Sequence, residues 1–362
     1  MPKKIFFTPG PSALYFTVEE HIKKALKEQV MEVNHRSKQA ETYYQSAVEG
    51  LKSLMSIPED YQIFFLSSAT EIWERQLHNL AIEHTFHFTN GAFSQRFFDF
   101  AQQWGLNAKQ AQAEYGELPK FTEGMIPEET ELITVALNET STGVSFPLEQ
   151  VYAIKKAYPN ALLAVDGVSA FPIVNLDFSQ VDSAYFSVQK CFGLPAGLGV
   201  WIVSPRAIAK AESKLANGHT LGSYQSLPNL LKNGLKHQTT YTVNVLNIYL
   251  LSKVCEDMLV KGLEIIRSES SYKNALIHHA IAQHPHLTHF VQEKELRSPT
   301  VSVASTQGDS QHFVSSLAKK GLVIGSGYGA YKGQHIRIAN FPTHSKEQFE
   351  FLADSLQAID AE

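Results

Sequence analysis

An apolar run, Ala161-Leu162-Leu163-Ala164-Val165, ends in Asp166, and a second strand-like run ends in Ser187-Val188-Gln189-Lys190, 190 − 166 = 24 residues further on. In an open parallel sheet, ligands gather at the carboxyl ends of the strands, so this carboxylate and amine could face one crevice. The chemistry that wants such a pair is that of pyridoxal phosphate, a cofactor with an aldehyde and a pyridine nitrogen. A lysine forms a Schiff base with the aldehyde and later shuttles the α-proton. An aspartate keeps the ring nitrogen protonated, so that the ring can act as an electron sink. The bland alternative is that Asp166 caps the following helix and Lys190 is solvated.

Further residues bear on that choice. Ser67-Ser68-Ala69-Thr70 follows the apolar run 61–66 and opens a helical stretch. Small and hydroxylated residues at a helix start suit a phosphate, through free N–H groups and the dipole, although an ordinary N-cap looks the same. Asn138-Glu139-Thr140-Ser141-Thr142-Gly143 also follows a strand-like run, and its hydroxyls could meet a ring substituent. Its Asn-x-Thr spelling fits a glycosylation acceptor, a reading that a cytoplasmic chain makes false. Phe93, just after Asn90-Gly91, could stack on a flat cofactor or simply fill core.

The elements that must position these residues alternate along the chain. Short apolar runs at 61–66, 84–88, 132–137, 161–165, 183–186 and 200–203 are separated by helical periods at 70–81, 94–104, 148–157 and 205–216. That rhythm predicts an α/β fold with a mostly parallel sheet covered on both faces. After about residue 241 the pattern becomes two long helices, 243–261 and 263–282, then short strands at 300–304, 322–324 and 335–339 with helices at 310–320 and 345–359. The expected division is a large domain over 16–255 and a smaller α+β domain over 256–362, with segment 1–15 packing alongside the latter.

The 362 residues are 44% hydrophobic and 19% charged, too apolar and too weakly charged for a disordered chain. A net charge of 31 − 36 = −5 argues against a nucleic-acid partner held by an overall basic field. Cys191 and Cys255 are too few for a disulfide framework or a four-thiolate zinc site and suit a reducing compartment. No apolar run reaches the ~18 residues of a membrane span, and Pro9-Gly10 interrupts the start before a signal-peptide core could form. The expectation is a cytoplasmic protein with no membrane and no nucleic-acid partner.

Taken together, the motifs resemble the class V aminotransferases of fold type I. The resemblance rests on Phe7-Thr8-Pro9-Gly10-Pro11-Ser12, Asn34-His35-Arg36-Ser37, Asn138-Glu139-Thr140, Asp166, Gln189-Lys190, Pro195-Ala196-Gly197-Leu198-Gly199 and Ile336-Arg337-Ile338, in the family's order over nearly the whole chain. It implies a seven-stranded, mostly parallel sheet in the large domain. It also implies Lys190 as the Schiff-base lysine, Asp166 as partner of the pyridinium, and Phe93 where the family usually stacks a tryptophan. By the same resemblance Thr140 would bond the ring hydroxyl side. Ala69, Thr70 and Gln189 would hold the cofactor phosphate, with Gln238 and Thr239 reaching in from the other subunit of a homodimer. Arg337 would clamp the substrate α-carboxylate, and His35 with Arg36 would face its distal group.

Two features depart from the pattern of members that act on phosphoserine. The turn Ser68-Ala69-Thr70-Glu71 lacks their arginine, and the stretch 325–335 lacks their His-Arg pair, leaving Lys332 or His335 as the substitute cations to test. The expected function is exchange of an amino group between glutamate and 3-phosphohydroxypyruvate, in serine biosynthesis. The rival acceptor is a small unphosphorylated keto acid such as glyoxylate or pyruvate, and the non-enzymatic rival is a scaffold without turnover. His278, His279, His284, His286 and His289 lack a familiar ligand spacing, so no metal is expected. Gly325-Ser326-Gly327-Tyr328-Gly329 lacks the full dinucleotide-loop pattern. Cys191 adjoins Lys190, whereas the related cysteine desulfurases carry their nucleophile on a separate mobile loop and a histidine before the lysine, where this chain has Gln189, so desulfuration is not expected.

Overall fold

Residues alternate sides within the apolar strands: Ile63 and Phe65 pack into one core, Phe64 and Leu66 into another on the opposite face. That period of two lets one sheet bury both of its faces. A computed structural model, describing residues 4–360, shows the sheet in full. Its seven strands lie in the order Gln62–Leu66, Gly199–Val203, Ser183–Ser187, Leu162–Asp166, Leu132–Ala136, His84–Thr89 and Asn107–Gln112. All run parallel except Gly199–Val203, which is antiparallel to both neighbours. It follows Ser183–Ser187 after the short loop 188–198, which leaves no room for a crossover helix, so the chain must turn back. This is the α/β architecture the alternation predicted.

Helices Lys38–Met55, Leu148–Ala157 and Val245–Lys261 cover one face, and Ala69–Leu80, Ala92–Gln103, Pro205–Ala216 and Leu227–Gly234 the other. The edge strand Asn107–Gln112, reading NAKQAQ, carries no apolar run, and its side chains stay at least partly exposed. Helix Val245–Lys261 crosses residue 255 unbroken and ends at Gly262, whose φ of +88° favours glycine. Among the described residues, no helix is long and apolar enough to cross a membrane.

A second sheet of five strands follows, in the order Ile5–Phe7, Leu322–Ser326, His335–Ala339, Val301–Thr306 and Leu287–His289. Its own core joins Phe7, Ile324, Ile336 and Ile338 to the helices Leu263–Gln283, Ser310–Lys319 and Lys346–Gln357. From Ile5–Phe7 the chain runs back across the large sheet's strand ends, where Ser12 N–H bonds the Gln189 carbonyl (3.3 Å) and Tyr15 N–H that of Gly193 (2.9 Å). The N-terminal segment is thereby laid over the loop that carries Lys190.

Candidate active site

A cavity of about 230 Å³ opens at the carboxyl ends of the large sheet. Asp166 reaches it from the end of one strand, and Lys190 from the loop after the next. Lys190 is 8% exposed, and its amine donates to the Pro9 carbonyl. Gly10 lines the same wall with φ +140°, and a Cβ there would fall on the lysine side chain.

Burial raises the Asp166 carboxyl to about 7, against hydrogen bonds from Val168 N–H (2.8 Å) and the Tyr185 hydroxyl (3.0 Å) that favour the anion. Glu139 adds to the rise and Lys190 opposes it. Burial also lowers the Lys190 amine to about 8, helped by the positive charge of Arg337. An amine so placed is neutral often enough near neutral pH to act as a nucleophile or a proton acceptor.

At one end of the cavity lie Ser68, Ala69 and Thr70, the cap and first turn of helix Ala69–Leu80. Ser68 Oγ accepts from Glu71 N–H, and the Ala69 N–H bonds Ser187 Oγ at 3.2 Å. The strand behind must be bare to come this close: a Cβ at Gly199 would stand 2.5 Å from the Ser68 carbonyl carbon. Gln189 lines the cavity with its side-chain oxygen buried and unpartnered. Phe93 presents its ring 6.0 Å from the Lys190 amine. Thr140 also lines the wall, its hydroxyl 2.7 Å from Ser169 Oγ.

Arg337 comes from the second sheet and reaches Thr140 through a 3.3 Å bond to that residue's carbonyl. Its guanidinium lies 5.3 Å from the Tyr328 ring, and Tyr328 in turn lies 5.2 Å from Phe93. The glycine-rich stretch before it therefore shapes a turn: a Cβ at Gly327 would collide with the Tyr331 carbonyl. Asn90-Gly91 is bare for a related reason, since a Cβ at Gly91 would strike the Glu139 side chain.

Four other candidates lie elsewhere on the chain. His35 and Thr239 line a separate small hollow, and Arg36 is exposed. Gln238 bonds Glu41 at 2.8 Å, and the Thr239 hydroxyl bonds the Tyr241 carbonyl at 2.6 Å. Within one chain these four do not line the Lys190 cavity, and Arg337 meets it only through its bond to the Thr140 carbonyl in the wall. Nor does His335 supply a substitute cation. Its ring is 4% exposed, stacked on Tyr331 at 4.5 Å and beside Phe290, and burial holds it near 4, neutral at ordinary pH. Lys332 is exposed and also stands outside the cavity lining.

Of the C-terminal histidines, His278 stacks on His289, and His284 bonds the Ile359 carbonyl. Among the described residues, no three histidine, cysteine or acidic side chains are grouped to hold a metal ion. Cys191 is fully buried, and burial pushes its thiol pKa up, away from nucleophilic use. The sequence reading missed Trp73, Tyr185, Ser169 and the role of Glu139, all of which support cavity residues. Their signal lies in strand register and helix packing, which no local motif spells out.

Lys190 and Asp166 thus meet in one cavity at adjoining strand ends of the large sheet, and Arg337 from the second sheet bonds its wall at the Thr140 carbonyl. The aminotransferase class-V family matches residues 5–339, and the chain belongs to that family. Within it, the chain is similar to the phosphoserine aminotransferase of Cytophaga hutchinsonii, 42% identical with a TM-score of 0.96 over 99% of both chains. It is also 27% identical to the phosphoserine aminotransferase of Rhodococcus opacus (strain B4), over 91% of this chain and 88% of that one. The aspartate aminotransferase of Thermus thermophilus, 23% identical with a TM-score of 0.85 over 98% of both chains, shares the fold.

Proposed function

We propose that the protein is a homodimeric, cytoplasmic, pyridoxal-phosphate-dependent aminotransferase exchanging the amino group between glutamate/2-oxoglutarate and phosphoserine/3-phosphohydroxypyruvate. The observation that carries the reading is the 42% identity to a phosphoserine aminotransferase across 99% of both chains, in a molecule where Lys190 and Asp166 share one cavity. The cavity's donor set fits the cofactor. A helix start at Ala69 and Thr70 suits its phosphate, Gln189 lines the same cavity, and Phe93 offers a ring face. When bound, pyridoxal phosphate supplies an aldehyde that takes up amino groups and a ring that accepts electrons from the substrate α-carbon.

The chain's own residues do the rest. Lys190 would anchor the group and, once its amine is free, carry the proton at the substrate α-carbon. Asp166 would face the ring nitrogen as an anion and hold a proton there. Arg337, planar and multidentate, would orient the α-carboxylate so that the α-hydrogen faces Lys190. His35, Arg36, Gln238 and Thr239, remote from the cavity of their own chain, would complete the cavity of a second copy.

Unphosphorylated keto acids remain the second acceptor class, favoured by two observations: the Ser68–Glu71 turn of the cavity wall has no arginine, and burial keeps the His335 ring neutral. Half-reaction spectra of the reconstituted enzyme with a panel of amino acids decide between them. Phosphoserine and glutamate are expected to change the visible band fastest. Preference for alanine or serine over phosphoserine would overturn the phosphorylated substrate and keep the aminotransferase.

A further inference from the structure

We propose that Trp73 and Tyr185 are positioning residues, a two-step hydrogen-bond relay that fixes Asp166 as an anion aimed at the ring nitrogen of the cofactor; this rests on the pyridoxal-phosphate reading above. The relay starts from strand register. Asp166 and Tyr185 are direct partners across the parallel pair, so both side chains leave the sheet on the same face. Trp201 is the partner of Tyr185 on its other side and closes that face. Tyr185 is 1% exposed and Trp73 3%, so neither polar atom has water as a ready substitute.

The geometry then sets a direction. Trp73 Nε1 lies 2.7 Å from the Tyr185 hydroxyl, which lies 3.0 Å from Asp166 Oδ2. An indole N–H can only donate, so the tyrosine oxygen accepts from Trp73 and its proton is directed to the carboxylate. The other carboxylate oxygen accepts from the Val168 N–H at 2.8 Å. Both oxygens of Asp166 are thus met by donors. A protonated carboxyl would have to turn a donor of its own into one of them. Lys190 and Glu139 are the charged groups that act on Asp166, with opposite signs.

Helix packing fixes the far end. Trp73 stands 73 − 69 = 4 residues after Ala69, one helical turn along, and stacks on Phe97 with ring centroids 5.6 Å apart. One helix therefore offers its first turn to the phosphate end of the cavity and, through Tyr185, an oriented proton to the carboxylate at the other. Phenylalanine at 185 would fill the same space, so packing alone does not call for the hydroxyl.

The test uses holoenzyme reconstituted with pyridoxal phosphate carrying 15N in the ring, in wild type, Tyr185→Phe and Trp73→Phe. The ring-nitrogen resonance reports its protonation, and titration of the apoenzyme reports cofactor affinity. In Tyr185→Phe the resonance should move toward the unprotonated position and cofactor affinity should fall several-fold. Its kcat should fall about 10- to 100-fold, as for loss of a hydrogen bond to a charged group. Trp73→Phe should move the resonance the same way by less, and it decides the matter if Tyr185→Phe fails to fold. A wild-type resonance and wild-type affinity in the folded variants would overturn the relay while leaving the aminotransferase reading intact. A wild-type protein that binds no pyridoxal phosphate would overturn that reading and the relay with it.

Discussion

Arg337 donates from Nη1 to the Thr140 carbonyl at 3.3 Å, while its Nε donates to the Ser326 carbonyl at 2.8 Å. The first bond joins the five-stranded sheet to a wall of the cavity built on the seven-stranded one. The second holds the guanidinium against its own sheet, beside the Tyr328 ring. Of the five N–H donors of an arginine, these bonds use two, which leaves three for a substrate carboxylate.

Arg337→Lys should therefore keep the positive charge and lose the function of the fork. kcat/KM should fall about 10- to 150-fold, the cost of one charge-assisted hydrogen bond, and by similar factors for glutamate and phosphoserine. Steady-state kinetics with both amino acids provide the check. A loss confined to phosphoserine would place Arg337 at the distal group instead of the α-carboxylate.

His335 gives a pH prediction. Burial, then the charge of Arg337, hold its ring near 4 in the fold, below the 6.5 of a free histidine. The unfolded chain binds a proton that the native state resists, so this contribution is whole above about pH 6.5 and is lost as pH falls toward 4. Between pH 7.5 and 5 the wild type should lose about 1–2 kcal/mol more stability than His335→Phe, measured by urea unfolding at both pH values. The same variant should leave the KM for phosphoserine within about twofold, because a neutral ring wedged between Tyr331 and Phe290 brings no charge to the substrate.

Glu139 is fully buried, and its carboxylate accepts from Ser94 N–H and Oγ at 2.9 Å each, and from Ser141 N–H at 3.1 Å and Oγ at 2.7 Å. It thereby anchors the start of helix Ala92–Gln103, the turn that carries Phe93. Glu139→Gln sets an amide N–H2 against donors and removes the charge, and should cost about 2–4 kcal/mol in urea unfolding. Cofactor affinity should fall with it, because the Phe93 ring loses its anchor. A stability loss below about 0.5 kcal/mol would show that the anchor is dispensable.

Lys190, Asp166 and Thr140 were legible because each follows an apolar strand, and a strand end in a parallel sheet is where side chains leave the core. All three line one cavity. Tyr185 was not legible: it sits inside an apolar run, and only the pairing of Asp166 with Tyr185 gives its hydroxyl a task. Strand Asn107–Gln112 carries no apolar signature because an exposed edge needs no apolar residues. Helix Val18–Lys27, rich in Lys and Glu, offers no apolar run to mark it, since it buries only Val18 and Ala25. His335 shows the converse failure: its residue type suggested a cation, and only the rings around it make it neutral.

The last prediction concerns assembly. Gln238 and Thr239 lie with His35 away from the Lys190 cavity of their own chain, so a complete site would take its lysine from one copy and these residues from another. Lys190→Ala alone should abolish turnover, and the double variant Gln238→Ala, Thr239→Ala should lose most cofactor affinity, because the phosphate would lose its donors from the second chain. Mixed in equal amounts and allowed to exchange subunits, the two variants should form hybrid dimers. In each hybrid, one site carries both defects and the other carries neither. With random exchange, half of the dimers are hybrids with one intact site each, so activity should return to about a quarter of wild type. The measurement is turnover of glutamate with 3-phosphohydroxypyruvate before and after exchange, with sedimentation confirming that dimers persist. A mixture that stays as inactive as its parents, with exchange shown by mass-tagged subunits, would place Gln238 and Thr239 outside the neighbour's site and leave each chain to bind the phosphate alone.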